Sequence, residues 1–147
     1  MDSPNAALRL HPVGFVVASI VDSMDGFVRS LAGTWDGKVF EDPLQKVKVA
    51  FLSTGPSDAQ IELVEPAEGA SPVSRFLEER GGGLHHVCYE VEDLDYELAE
   101  MRARGALIAK RPKPAVAFGG RRIAWVVTSG KLLVELLERS ASERPIP

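Results

Sequence analysis

The chain has 147 residues, 45% of them hydrophobic and 26% charged, with a formal net charge of −4. That is the composition of a soluble globular domain, and the acidic balance argues against the basic footprint of a nucleic-acid-binding surface. No apolar run reaches the roughly 18–20 residues that cross a bilayer, the N-terminus lacks the basic-then-apolar pattern of a signal peptide, and the single cysteine, Cys88, leaves no internal disulfide. These features predict a cytoplasmic protein with neither nucleic acid nor membrane as partner.

In chain order, "HPVGFVVASI" (11–20) reads as a strand, with Val13, Phe15 and Val17 alternating onto one face. "VDSMDGFVRSLAG" (21–33) has helical spacing at Met24, Phe27 and Leu31, weakened by Gly26. "WDGKVFEDP" reads as turn. "QKVKVAFLS" (45–53) and "AQIELVE" (59–65) form two strands joined by the hairpin loop "TGPSD". "SPVSRFLEER" (71–80) predicts a helix with Pro72 in its first turn, and Gly81 to Gly83 break it. No helix opens after these glycines, so they are a linker and not a phosphate loop.

The stretch "GGGLHHVCYEV" (81–91) follows as a strand, then a helix over 93–105 with Leu94, Leu98 and Met101 inward and Gly105 at its end. "ALIAKRPKPAVAFGG" is a strand running into a Pro- and Gly-rich loop. "RRIAWVVTS" and "KLLVELLER" close the chain as a hairpin, and "ASERPIP" reads as a loose tail.

The two halves match each other. An offset of 74 lays His11 on His85, Val13 on Val87, Val17 on Val91 and Ile20 on Leu94, and also lays "VAFL" (49–52) on "IAWV" (123–126). One residue less lays "IELVE" (61–65) on "VELLE" (134–138). The repeated unit reads βαβββ, and two such units are each too small for a good core. The expected organisation is one domain over 1–147, with modules at 11–66 and 85–138 and a helical linker at 67–84.

Alternation within the strands then sorts the side chains. The faces carrying Val13, Phe15 and Val17, or Val87, Tyr89 and Val91, pack under the helices. The opposite faces carry Pro12, Gly14 and Val16 in one half and His86, Cys88 and Glu90 in the other. A sheet face bearing glycine, cysteine, histidine and carboxylates makes a poor core but a reasonable cavity wall. His86, Glu62 and Glu135, one imidazole and two carboxylates, have the donor chemistry of a divalent-metal site. His85 points the other way and is structural. Cys88 is a small buried filler. "GGRR" (119–122) is either a solvated turn or an anion contact through Arg121 or Arg122.

The paired modules, "GLHHVCYEV" and the terminal "LLVELLE" resemble the vicinal oxygen chelate superfamily, which includes glyoxalase I, extradiol dioxygenases and bleomycin-resistance proteins. Within it, "VKVAFLSTG", "IELVEPAEGASPVSRFLEERGGGLHHVCYEV" and "GGRRIAWV" are most similar to the methylmalonyl-CoA epimerases. The resemblance spans roughly residues 11 to 138. It implies an α+β fold in which the two βαβββ modules form one incomplete eight-stranded barrel-like sheet with helices outside. It also implies a divalent metal (cobalt, zinc, nickel, manganese or magnesium) on Glu62, His86 and Glu135, with Glu62 and Glu135 as the catalytic carboxylates. The family's first-strand ligand falls on Pro12, which has no donor. His11 is adjacent and would reach the metal only through a bulge. The region of the family's acid/base glutamate reads "QKVKVAF", with Gln45, Lys46 and Lys48 and no carboxylate; Glu41 and Asp42 lie just upstream.

The expected activity is that of an epimerase, isomerase or lyase removing an α-proton beside a metal-polarised carbonyl of a small substrate, an acyl-CoA among the candidates, with Arg121 and Arg122 as substrate contacts and a homodimer as the assembly. The alternative is a metal-free binding or resistance protein, or a metal-independent biosynthetic enzyme, on the same scaffold. Pro12 favours that alternative.

Overall fold

The computed structural model describes residues 9–56, 60–68 and 71–139. The tail at 141–147 and the tip of the 54–58 loop lie outside them. The chain divides into two units, one of Pro12–His85, the other containing described residues 9–11 and 86–139. The fold is α+β.

The first half runs β1 (Arg9–Val16), α1 (Ile20–Leu31), β2 (Gly33–Trp35), β3 (Phe40–Asp42), β4 (Val47–Thr54), β5 (Gln60–Pro66) and α2 (Ser74–Arg80). The second runs β6 (Gly83–Val91), α3 (Leu94–Ala103), β7 (Leu107–Pro114), a 3-10 turn (Val116–Phe118), β8 (Arg122–Val127) and β9 (Leu133–Glu138). The described residues thus hold nine strands rather than eight. The extra one arises because the stretch read as turn, "WDGKVFEDP", contributes to two short strands, β2 and β3, both antiparallel to β4. Between them Asp36 Oδ1 accepts the Lys38 amide at 2.9 Å, and Gly37 takes φ 82°. Three-residue strands carry too little alternation to show in a sequence. The equivalent strand in the second half, β7, absorbs its extra residues as two register irregularities and stays continuous. It contains Pro112 and Pro114, which a strand pairing only with β8 tolerates on its open side.

Both helices that follow a leading strand are capped by their own sequence. Ser19 Oγ accepts the Asp22 amide at 3.2 Å, and Asp93 Oδ1 accepts the Tyr96 amide at 3.0 Å. Gly26 faces solvent in α1, and burial of Ile20 and Met24 on the other side outweighs its propensity cost of about 1 kcal/mol. α2 is shorter than expected: Val73 is its N-cap, so Pro72 precedes the helix instead of opening it.

The internal repeat is repeated in hydrogen-bond register. β1 runs parallel to β5 with Val13 opposite Ile61, Gly14 opposite Glu62 and Phe15 opposite Leu63. β6 runs parallel to β9 with Val87 opposite Val134, Cys88 opposite Glu135 and Tyr89 opposite Leu136. The antiparallel partners follow suit: Phe51 lies opposite Glu62, and Trp125 opposite Glu135. The apolar faces pack under the helices as alternation requires. In the first unit Ile20 and Met24 cluster with Ala50, Leu52 and Leu63, and Phe15 and Val17 pack alongside. In the second, Leu94 and Leu98 cluster with Ala124, Val126, Val134 and Leu136, with Val87 and Tyr89 against them.

Candidate functional site

With Val87 and Tyr89 committed to the helix side, β6 turns His86, Cys88 and Glu90 to the other side, and all three are buried. β9 delivers Glu135 to the same side. His86 Nε2 and Glu135 Oε1 stand 3.6 Å apart, and the two side chains are only 2% and 4% exposed. That separation is long for a hydrogen bond. Two donors each about 2.1 Å from one cation in tetrahedral geometry stand roughly 3.4 Å apart, so the pair fits a shared divalent ion in both donor type and spacing. Trp125 completes the wall, its indole edge-on to the His86 ring with centroids 4.7 Å apart. Trp125 was not singled out from the sequence. The match of "VAFL" with "IAWV" carried the signal, since it aligns Trp125 with Phe51 beside the other glutamate.

In the first unit Glu62 sits at the corresponding register position of β5, between Gly14 and Phe51, and is 4% exposed. The position equivalent to His86 is Pro12, buried and without a donor. The neighbouring imidazole is that of His11. Its ring stands edge-on to Phe118, with centroids 5.6 Å apart, and strand alternation gives it the opposite direction to Pro12. The β1–β5 pairing itself is regular from Pro12 to Val16. On β4, alternation from Phe51 brings Val49 and Val47 to the Glu62 side, while Ala50 and Leu52 join the helix-side core. No carboxylate of β4 therefore accompanies Glu62. Asp42 is buried, but its Oδ1 accepts the Leu44 and Gln45 amides, both at 3.0 Å, and so closes the β3–β4 turn.

Known proteins share this fold. The profile of the Glyoxalase/Bleomycin resistance protein/Dioxygenase superfamily matches residues 11–125. The chain belongs to that superfamily. Its relatives within it include the uncharacterized protein YqjC of Bacillus subtilis, 36% identical over 135 residues that cover 88% of this chain and 91% of YqjC. An ethylmalonyl-CoA/methylmalonyl-CoA epimerase of Cereibacter sphaeroides is 29% identical over 119 residues, 80% of this chain and 87% of that one. Among solved structures, the methylmalonyl-CoA epimerase of Mycobacterium tuberculosis superimposes with a TM-score of 0.83 at 25% identity, covering 97% of this chain and 95% of that one.

On this superfamily scaffold the two arginines expected to contact substrate are engaged by the chain's own carboxylates. Arg121 donates to Glu90 Oε2 at 2.9 Å and lies over the Phe118 ring, 5.7 Å from its centroid. Arg139 approaches the other Glu90 oxygen at 3.6 Å. Arg122 grips Glu138 through Nε at 3.0 Å and a terminal nitrogen at 2.8 Å, and also reaches Asp95 at 3.4 Å. The hairpin register sets Arg122 across from Glu138, and these hydrogen bonds raise its already high pKa. Both side chains therefore tie strands together, a role the "GGRR" motif alone could not reveal.

Glu97 on α3 is a further buried carboxylate, 2% exposed, whose Oε2 has no hydrogen-bond partner among the described residues. Burial pushes its carboxyl above the usual range; Arg104 opposes this, while Glu100 and Asp93 reinforce it. A raised folded pKa means the native state holds the proton more tightly than the unfolded chain does. The associated stability is present in full below the unfolded pKa and is lost as pH rises through the folded one. Glu97→Gln is accordingly expected to be more stable than the parent at pH 7 by about 1 kcal/mol, with the difference vanishing near pH 4. Urea midpoints of both proteins across that range check it.

Proposed function

We propose that the chain is an isomerase of the acyl-CoA epimerase kind, acting on the carbon next to a thioester carbonyl. The reading is carried by the buried His86–Glu135 pair at 3.6 Å, and the epimerase relative from Cereibacter sphaeroides supports it. In this reading a divalent cation is held by His86 and Glu135, with Glu62, the repeat counterpart of Glu135, as third donor; each offers one ligand atom and each is buried. Bound there, the cation would draw electron density from the carbonyl oxygen and acidify the neighbouring C–H. The protein's own part is orientation and proton transfer. A carboxylate oxygen of Glu135 or Glu62 accepts the α-proton and returns it. Trp125 and Phe51, each across a strand pair from one glutamate, set aromatic carbon beside the two carboxylates.

Two observations favour a second reading, a protein that binds a small ligand without turnover. Pro12 removes one donor from the repeated pattern, and the Glu62 side of β4 carries Val47, Val49 and Phe51 with no second base for inversion. One pair of measurements separates the two. The enzyme reading expects about one divalent cation per chain by elemental analysis of protein purified without chelator, and solvent deuterium entering the α-carbon of methylmalonyl-CoA. A metal-free protein that exchanges no α-proton would leave the binding reading in its place.

A further inference from the structure

On the helix side of the second unit's sheet, α3 and β7 enclose a groove of about 510 Å³ lined by Asp95, Leu98, Ala99, Arg102, Ile108 and Arg111, among others. α3 packs against Val134 and Leu136, whereas Glu135 points to the other side of the same strand, so this groove is separate from the site described above. Two exposed arginines, Arg102 and Arg111, belong to its lining. Neither the Arg102 nor the Arg111 side chain has an ion-pair or hydrogen-bond partner among the described residues, although the carboxylates nearby do: Glu100 pairs with Arg104, and Asp95 with Arg122. The dipole of α3 accounts for a cation in its last turn, where Arg102 lies, but not for Arg111 from the neighbouring strand lining the same groove.

We infer that this groove binds an organic pyrophosphate of the nucleoside diphosphate class. Two guanidiniums are suited to bidentate contact with phosphate oxygens. Seven residues before Arg102, about 10 Å along the helix, Asp95 meets Arg122 through Oδ2 and keeps lone pairs that can accept from the amino group of a base. Ala99, Ile108 and Pro112 add apolar surface to the lining that a flat ring could cover. An acidic peptide is the weaker candidate. Strand addition at β7 would require backbone donors, and Pro112 and Pro114 have none.

The test is titration of the full chain with ADP, followed by calorimetry and by amide shifts at Ala99, Ala103 and Ile108. Saturable binding is expected, weakened at least about tenfold by Arg102→Gln and by Arg111→Gln. Ala99→Trp, which fills the groove and leaves both charges in place, is expected to weaken it as well, and circular dichroism verifies that each variant is folded. Competition by coenzyme A would identify the source as that molecule's nucleotide end; binding of ADP without such competition would identify a free nucleotide. The inference is overturned by ADP binding weaker than about 10 mM, by binding that all three variants retain, or by a hexaglutamate peptide displacing ADP at equal concentration.

Discussion

On the proposed metal-dependent reading, protein carrying His86→Ala is expected to come through purification without a divalent cation and to show no α-proton exchange on methylmalonyl-CoA. The side chain is 2% exposed and stands 3.6 Å from Glu135. Losing a direct donor should cost more than the roughly 10–100-fold fall in affinity that accompanies loss of an outer hydrogen-bond partner. Glu135 would also be left in a site built around its neighbour, so some stability goes too, since burying a carboxylate without compensation costs several kcal/mol. Metal content and stability are therefore to be read separately, by elemental analysis and by urea denaturation. If folded His86→Ala binds as much metal as the parent, the donor assignment fails whatever happens to activity. The same measurement on His11→Ala should find metal content unchanged, because that ring packs on Phe118.

The second large effect is expected at Gly82, in the turn that leads from α2 into β6. Its φ is 99°, and a Cβ built there would lie 2.6 Å from the carbonyl oxygen of Val16, a backbone atom that cannot step aside. Val16 is itself buried at the end of β1. Gly82→Ala combines left-handed strain of about 1–3 kcal/mol with that collision, so a loss of about 3 kcal/mol or more is expected, visible as a fall of about 10 °C in Tm. Gly83→Ala is the control. Its φ of 116° is equally unsuited to a side chain, but nothing lies within 4 Å of its Cβ position, so it should lose only the strain. Equal losses in the two variants would mean that the approach to Val16 is unimportant. Gly82 lies four residues before His86, so the variant also tests whether this turn fixes the start of the strand that presents the imidazole.

Legibility in the sequence followed the length over which a physical pattern persists. The strands that flank Glu62 and Glu135 run for six residues or more, and their alternation alone assigned Leu63 and Leu136 to the helix side and both glutamates to the other. β2 and β3 span three residues each and were invisible for that reason. Pro72 fits the first turn of a helix by propensity, yet the helix starts after Val73. Arg121 and Arg122 looked like anion contacts because a sequence shows charges without their partners; Glu90, 31 residues before Arg121, and Glu138, 16 after Arg122, meet them only once the strands align.

By itself the sequence determined the duplication, the α+β character, the faces of the leading strands and of the strands carrying Glu62 and Glu135, and the family. All of these rest on periodicity and local chemistry that neighbouring residues carry together. Tertiary structure alone decided which charges are neutralised, that His86 and Glu135 approach to 3.6 Å, that the His11 ring packs against Phe118, and that Arg102 and Arg111 line one groove. Those outcomes depend on separations in space between residues far apart in the chain, and electrostatic energy follows those separations, not the spacing along the sequence.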